Sequence, residues 1–262
     1  MSAPRLPLAA SALAAALVVT FACSLASLAR AEQEPPCPAA PAIALGELPR
    51  LKAALARGER PVIVAIGSSS TQGHGATAPD RTYPARLAAA LGALWPSTPP
   101  RVVNEGKGGE TDIQMVERIA TAVAPHRPDL VVWQLGTNTL MRSDGVASAA
   151  DTIRSGIRRL KALGADVVLM DPQYAPRVLA DPDHLPMVEL LATVAREEQA
   201  ALFGRFALMQ GWQLAGLAAD TMLIPDGLHH NDLGYRCIAS TLATALAGSS
   251  ATASTGLAIK QQ

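Results

Sequence analysis

Val62-Ile63-Val64-Ala65-Ile66-Gly67-Ser68-Ser69-Ser70-Thr71-Gln72-Gly73 runs five apolar residues straight into a turn of small, hydroxyl-bearing ones. A short apolar run, rich in β-branched residues and closed by glycine, is the pattern of a parallel strand buried on both faces that ends at a tight turn. That reading places Ser69 at a strand's carboxyl end. Serine and glycine also populate ordinary turns and helix caps for local reasons, so the rest of the chain has to decide what the turn is for.

The same pattern recurs along the chain. Arg101 to Asn104 reads as a second strand, breaking into Glu105-Gly106-Lys107-Gly108-Gly109-Glu110, and Asp129 to Leu135 as a third, ending at Gly136-Thr137-Asn138. Val167 to Met170 is a fourth, opening into Asp171-Pro172-Gln173-Tyr174, and Ala201 to Leu208 reads as a fifth. Helical periods lie between them. The first runs over Leu48 to Arg57, and a second over Tyr83 to Trp95 with Leu87, Leu91 and Leu94 on one face. Thr111 with Gln114 forms a capping box ahead of Ile113, Val116, Ile119 and Val123. Ile153, Ile157, Leu160 and Leu163 make a buried stripe stopped by Gly164. Pro186 opens a helix with Leu190, Leu191 and Val194, and Asn231 caps a last one through Leu233, Cys237, Ile238 and Leu242.

Strands alternating with helices imply a three-layer α/β/α domain around a flavodoxin-like parallel sheet of about five strands. All carboxyl ends of such a sheet share one edge, where ligands bind. Ser69, Gly109, Asn138 and the turn after Met170 each follow a strand on that edge.

Composition narrows the partners. The chain has 262 residues, 49% hydrophobic and 17% charged, enough for one large core, and with 3% aromatics that core is built from Ala, Leu and Val. Lys plus Arg and Asp plus Glu both number 22, with no basic run. This argues against nucleic acid or an anionic membrane surface and for a small molecule or a neutral polymer such as a glycan. Nothing in the sequence sets an oligomeric state.

Residues 1–31 read as a targeting segment: Arg5 precedes an uncharged stretch from Leu6 to Ala29, and Ala29-Arg30-Ala31 fits a small-x-small cleavage site. Cleavage places the protein outside the cytoplasm, periplasmic or secreted. The alternative is a retained anchor, the one route to membrane contact, since an uncharged stretch this long can span a bilayer. Residues 32–46 read as a Pro/Ala-rich linker, 47–247 as the domain, and 248–262 as a tail without apolar period. Past residue 31 only Cys37 and Cys237 remain. They are either bridged, tying the N-terminal arm to the last helix, or two separate thiols. The five His and three Cys contain no Cys-x-x-Cys, His-x-His or His-Glu-x-x-His spacing, so no metal or other cofactor is expected.

A serine hydroxyl is a poor nucleophile until a positioned base takes its proton. His229 is the candidate base, with Asp226 three residues earlier in the same loop to orient the ring and stabilise the imidazolium. His230 has no such partner and is expected at the surface or behind the site. Donors for a developing oxyanion come from the backbone amides of Ser69 and Gly109 and the side-chain amide of Asn138. The glycine loop lacks the Gly-Lys-Ser/Thr of a phosphate cradle.

At these residues the chain resembles the SGNH, or GDSL-type, serine hydrolases, whose motifs form four blocks. Gly67-Ser68-Ser69-Ser70-Thr71 stands where the family has its Gly-Asp-Ser block, and Asn104 through Gly109-Glu110-Thr111 is similar to the second. Gly136-Thr137-Asn138 matches the Gly-x-Asn block, and Asp226-Gly227-Leu228-His229 the Asp-x-x-His block. The order is the family's and spans most of the chain. The resemblance implies a catalytic triad of Ser69, His229 and Asp226, an oxyanion hole of Ser69, Gly109 and Asn138, and cofactor-free hydrolysis of an acyl ester through an acyl-enzyme. Two positions depart from the pattern: Ser68 replaces the Asp before the nucleophile, and His230-Asn231 follow the catalytic His where Pro is common. An α/β-hydrolase elbow fits less well, since Gly67-x-Ser69-x-Thr71 lacks the second glycine.

Two alternatives share the fold. One is an O-acyltransferase or deacetylase acting on a polysaccharide; the other is a secreted binding protein without turnover, for which Ser68 is the supporting feature. Arg81, Arg142, Gln173, Tyr174, Arg177 and His184 fall in loops expected near the mouth, either as substrate contacts or as solvated surface.

Overall fold

A computed structural model of the chain describes residues 34–142 and 146–250. The targeting segment and residues 251–262 lie outside these. The chain divides at Pro36; Glu34 to Pro36 carry no regular structure, and everything below concerns Cys37 onward. No helix among the described residues is long and apolar enough to cross a membrane.

Five parallel strands form one sheet in the order β2-β1-β3-β4-β5. They are β1 (Val62–Gly67), β2 (Arg101–Gly106), β3 (Leu130–Gln134), β4 (Asp166–Met170) and β5 (Ala201–Phe203). The chain leaves β1 for β2 on one side and returns to β3 on the other. The order therefore reverses between β1 and β3, which is where a doubly wound sheet opens a crevice. The register pairs Gly67 with Gly106 and Ile66 with Trp133, so the ends of these strands are level.

Period-two alternation divides the strand side chains between two cores. Ile63, Ala65, Leu130, Val132, Val168 and Met170 face one layer, with α1 (Pro49–Ala56), α3 (Tyr83–Leu94), α9 (Arg205–Leu214) and α10 (Asp232–Ser250). Val64, Ile66, Val131, Trp133, Val167 and Leu169 face the other, with α4 (Asp112–Glu117), α6 (Val146–Ala162) and α8 (His184–Glu197). Three short helices complete the list: α2 (Ser69–Gln72), α5 (Thr137–Met141) and α7 (Pro176–Leu179). Asp166, the first residue of β4, lends one carboxylate oxygen to the N–H groups of Arg50 and Leu51 at 2.9 and 3.0 Å. That cap satisfies two of the donors that the start of α1 leaves orphaned, where its own N-cap, Leu48, offers no side-chain acceptor.

Cys37 and Cys237 are bridged, with Cα atoms 5.3 Å apart. The bond anchors the irregular segment before α1 to the buried face of α10, where Leu45 and Leu48 also pack into the core. Closing a loop with a sequence separation of 200 residues removes about 5 kcal/mol of unfolded-state entropy on the chain-entropy model.

Five sequence expectations are corrected. β5 ends at Phe203, and Gly204 starts α9, so the apolar run through Leu208 is half strand and half helix. Ile113 is 54%, Leu94 49% and Leu163 37% exposed, off the stripes assigned to them. Within α4 the buried positions are Asp112, Met115 and Val116, which leaves Ile113 on the outer side; Leu94 is the last residue of α3, and α6 ends at Ala162, before Leu163. The last helix passes the 248 boundary and runs to Ser250, where Ser249 Oγ donates to the Ala245 carbonyl one turn back at 3.1 Å.

Candidate active site

The turn that carries Ser69 follows directly from β1. Ser68 is the N-cap of α2 and Ser69 its first residue, so the Ser69 side chain emerges at the carboxyl edge of the sheet. Gln134, the last residue of β3 and 1% exposed, holds the turn from beneath. Its Oε1 accepts from the Ser68 N–H at 3.0 Å, the Ser68 hydroxyl at 3.1 Å and the Thr71 hydroxyl at 3.1 Å. A neutral amide oxygen thus orders the turn in which Ser68 stands for the family's Asp. Gln134 was not singled out from sequence, although one polar residue ending an otherwise apolar strand is a signal for it.

The loop that carries Asp226 and His229 is organised by its own residues. One oxygen of Asp226 accepts from the N–H groups of Leu228 at 2.9 Å and His229 at 3.0 Å. The other accepts from His229 Nδ1 at 2.5 Å. Because a carboxylate only accepts here, Nδ1 carries the proton and Nε2 presents its lone pair. Ser69 Oγ lies 2.7 Å from that Nε2. Ser69 is thereby brought to the Asp226–His229 pair from 160 positions away in the chain.

The charges are tuned accordingly. Burial pushes the His229 pKa down, Asp226 opposes this, and the nearby charges of His74 and Arg177 push the same way as burial. Burial alone would raise the Asp226 carboxyl, but hydrogen bonds from the His229 ring and from the His229 and Leu228 amides hold it below its ordinary value. At neutral pH the pair is a neutral imidazole beside a carboxylate, the form a general base needs.

The two other expected site residues, Gly109 and Asn138, lie in the segments that follow β2 and β3. Gly106 lies so close to α2 that a Cβ there would come 2.0 Å from Gln72 N, and Gly109 turns the loop at φ 80°. The Gly108 N–H donates to Gln72 Oε1 at 2.9 Å, fastening this loop to the nucleophile helix. Asn138 Nδ2 donates to the Glu110 carbonyl at 2.9 Å, which leaves the amide a second N–H and ties α5 to the Gly109-Glu110 peptide. Arg118 braces the same loop: its Nε meets Glu110 Oε2 at 2.5 Å, and its Nη2 donates to the carbonyls of Glu105 at 2.6 Å and Gly67 at 3.2 Å. Behind α5, Asp112 is buried and accepts from the Gly136 N–H at 2.8 Å; burial raises its pKa to about 6, against that bond.

The other residues expected near the mouth separate into two groups. Gln173 is a buried strut rather than solvated surface. Its Nε2 donates to the Leu228 carbonyl at 3.1 Å, and its Oε1 accepts from buried Arg205 at 2.8 Å and from Thr137 at 3.1 Å. Arg205 also donates to the Asp171 carbonyl at 2.9 Å, so the sheet supports the base loop through a polar chain. His230 is likewise interior, 1% exposed, its ring edge-on to Tyr235 at 5.4 Å. Burial pushes its pKa down to about 3, which keeps it neutral. Arg81 pairs with Asp232 at 3.1 Å, and His184 Nδ1 lies 2.6 Å from the Asp181 carbonyl oxygen. Arg142 borders a polar cleft of about 460 Å³ beside Gly109. His74 packs its ring 4.4 Å from that of His229.

Residues 36–252 match the model of a non-GDSL lipase-like family. A curated relative, Esterase TesA of Pseudomonas aeruginosa, is 29% identical over 133 residues, covering 49% of this chain and 61% of its own. Among solved structures, a two-domain esterase active on acetylated mannans superposes with a TM-score of 0.69 at 21% identity, over 81% of this chain and 56% of that one. An acetylxylan esterase from Geobacillus stearothermophilus gives 0.62 at 21% identity, over 72% of this chain and 95% of that one. This chain therefore spans a little over half the length of the mannan esterase and of TesA. At these identities the structural likenesses show the three-layer fold.

Proposed function

The chain belongs to the non-GDSL lipase-like family of SGNH-type hydrolases, and from that premise we propose that it is a serine esterase that cleaves carboxylic O-acyl esters through an acyl-enzyme. The observation that carries this is the Ser69 Oγ to His229 Nε2 distance of 2.7 Å with Asp226 on the far ring nitrogen.

His229 takes the Ser69 proton as Oγ attacks the acyl carbonyl, and Asp226 stabilises the imidazolium so formed. The amides of Ser69 and Gly109 and the free N–H of Asn138 receive the oxyanion; loss of one such donor raises a barrier by ~3 kcal/mol. His229 then gives its proton to the leaving alcohol, the ester link passes to Ser69, and the neutral imidazole activates water to release the acid. Every proton transfer uses a group of this chain.

The relatives favour a short acyl group on a glycan: the mannan and xylan esterases are named for acetylated polysaccharides. The polar cleft beside Gly109, lined by Lys107, Gln114 and Arg142 among others, supports a polar alcohol moiety over a lipid chain. The same acyl-enzyme discharging onto a sugar hydroxyl is the second reading, and product analysis with and without a glycan acceptor separates the two. We further propose that residues 1–31 direct export, a reading supported by the Cys37–Cys237 bond, since such bonds persist in oxidising compartments.

A fluorophosphonate probe, with the adduct mapped by peptide mass, tests the mechanism alongside p-nitrophenyl acetate turnover. Labelling at Ser69, lost with turnover in Ser69→Ala, is the expected result. A folded protein that neither labels nor turns over would instead be a binding protein of the same fold.

A further inference from the structure

His74 has no part in the cycle above, yet it stands against its base. Gly73 turns the chain into it at φ 105°, its N–H donates to the Ser69 carbonyl at 2.9 Å, and its own carbonyl accepts from the Tyr235 hydroxyl at 2.6 Å. The backbone is therefore fixed next to the nucleophile while the side chain is exposed. The ring lies 4.4 Å from that of His229, tilted by 59°. His74, Asp226 and His229 each offer one ligand atom, and those atoms all lie within 4.8 Å of one another.

Two adjacent imidazoles suit a borderline-soft ion, because imidazole nitrogen is a preferred ligand of zinc and copper. In zinc sites a ligating histidine donates its other ring N–H to a carboxylate, which sets the tautomer and raises ligand basicity. Asp226 already accepts from His229 Nδ1 at 2.5 Å, so the ring is held with Nε2 bare. That lone pair is the one the base uses on Ser69. Tetrahedral zinc, about 2.0–2.1 Å from each nitrogen, spaces its ligands roughly 3.4 Å apart, and the exposed His74 side chain is the part able to close to that spacing.

We propose that His74 and His229 form an inhibitory transition-metal site, in which a zinc-type ion takes the Nε2 lone pair from Ser69 and so switches the esterase off reversibly. This role as a switch rests on the esterase reading. In the binding step the Ser69 Oγ–H···Nε2 hydrogen bond breaks and an Nε2–metal bond forms. His74 supplies the second nitrogen, Nδ1 of His229 keeps its proton on Asp226, and water fills the other positions after leaving the hydrated ion. The local spacings searched for in the sequence could not reveal the site, because His74 and His229 come from opposite ends of the domain.

Calorimetric titration of zinc chloride into the Ser69→Ala protein tests the site without any need for turnover. The expected result is one zinc per chain at micromolar concentration, no comparable binding of magnesium, and a loss of at least tenfold in affinity in both Ser69→Ala/His74→Ala and Ser69→Ala/His74→Asn. In the unmutated protein, zinc is expected to suppress p-nitrophenyl acetate turnover and EDTA to restore it. His74→Asn is expected to raise the inhibiting concentration at least tenfold relative to its own uninhibited rate. Undiminished zinc binding after either His74 substitution, equal binding of magnesium, or no binding by Ser69→Ala would each overturn the proposal. A protein that binds zinc through His74 but hydrolyses no ester would leave the site standing and sink only the esterase reading.

Discussion

Ser69 and His229 meet across 2.7 Å, yet the loops that carry them are held by opposite means. The nucleophile turn is fixed from a distance: three donors of residues 68–71 share the single Oε1 of Gln134, 63 to 66 positions away. The base loop is fixed by itself, through a carboxylate that reaches the amides two and three residues on and then the ring. The first arrangement couples the nucleophile to the integrity of the sheet. The second makes the base loop largely self-organised, with outside support from the Gln173 bond to the Leu228 carbonyl and the Arg177 N–H bond to the Gly227 carbonyl. Substitutions on the two sides should therefore fail differently: on the base side catalysis goes while the fold stays, and on the nucleophile side both go.

Asp226→Asn is the sharpest case. An asparagine keeps an oxygen for the Leu228 and His229 amides, so the loop retains its shape. Its NH2 cannot accept from Nδ1, so the tautomer that presents a bare Nε2 is lost. The expected fall in kcat is about 10⁴, with a melting temperature within a few degrees of the unmutated protein, measured by p-nitrophenyl acetate kinetics and calorimetry. A melting temperature lowered as much as by a core substitution would show that the loop is not self-organised.

Gln134→Leu puts the same question to the other side. It strands two hydroxyls and a backbone N–H in a buried position, each costing about 1–3 kcal/mol, partly relieved by rotation of the hydroxyls. A loss of about 3–5 kcal/mol in unfolding free energy together with a loss of turnover is expected, readable in a urea titration. Gln134→Glu, whose carboxylate still accepts, should recover most of the stability. If Gln134→Leu lowers kcat alone, the coupling of the turn to the sheet is wrong.

These two cases also explain what was legible in the sequence. The strand-helix alternation, the capping box at Thr111 and the Asp226-x-x-His229 loop all depend on residues within a few positions of one another, and a linear reading finds such patterns. Arg118, Arg205 and His74 act through contacts with other segments of the chain and no local spacing marks them, while Gln134 is marked only as the polar end of an apolar strand. β5 was overextended for a related reason. Phe206 and Leu208 continue its apolar run but belong to the period of α9, and Gly204 is a weak break to read. For His230, expected at the surface or behind the site, only its burial against Tyr235 decides for the second.

A smaller effect belongs to the donor loop between the two sides. Asp112 has a pKa near 6 in the fold against 3.8 for the exposed group. Its folded pKa is raised, so the unfolded chain loses its proton first, and stability falls as pH rises from about 4 to 6 and stays lower above. Asp112→Asn removes that penalty while keeping an acceptor for the Gly136 N–H. It should stabilise the protein by up to about 3 kcal/mol at pH 8 and hardly at all at pH 4, as urea titrations at the two pH values would show. Equal effects at both would mean that Asp112 is not ionised in the folded protein at pH 8.

Ser68→Asp is expected to have the smallest effect, and it bears most directly on how the nucleophile turn replaces the family's motif. Restoring the Asp would seem to improve the site, but here the turn is built around an acceptor, since Ser68 donates to Gln134 Oε1 at 3.1 Å. A carboxylate in that place would set oxygen against oxygen in a position that is 2% exposed. Turning the Gln134 amide to offer its NH2 would take the acceptor from the Ser68 N–H and the Thr71 hydroxyl. Ser68→Asp alone should therefore cost about 1–2 kcal/mol and lower kcat severalfold, while Ser68→Ala, which gives up one hydrogen bond, should cost about 1 kcal/mol. The order of the two variants is the test: if Ser68→Asp is the more stable and more active, the turn tolerates either device, and Gln134 is not the acceptor that organises it.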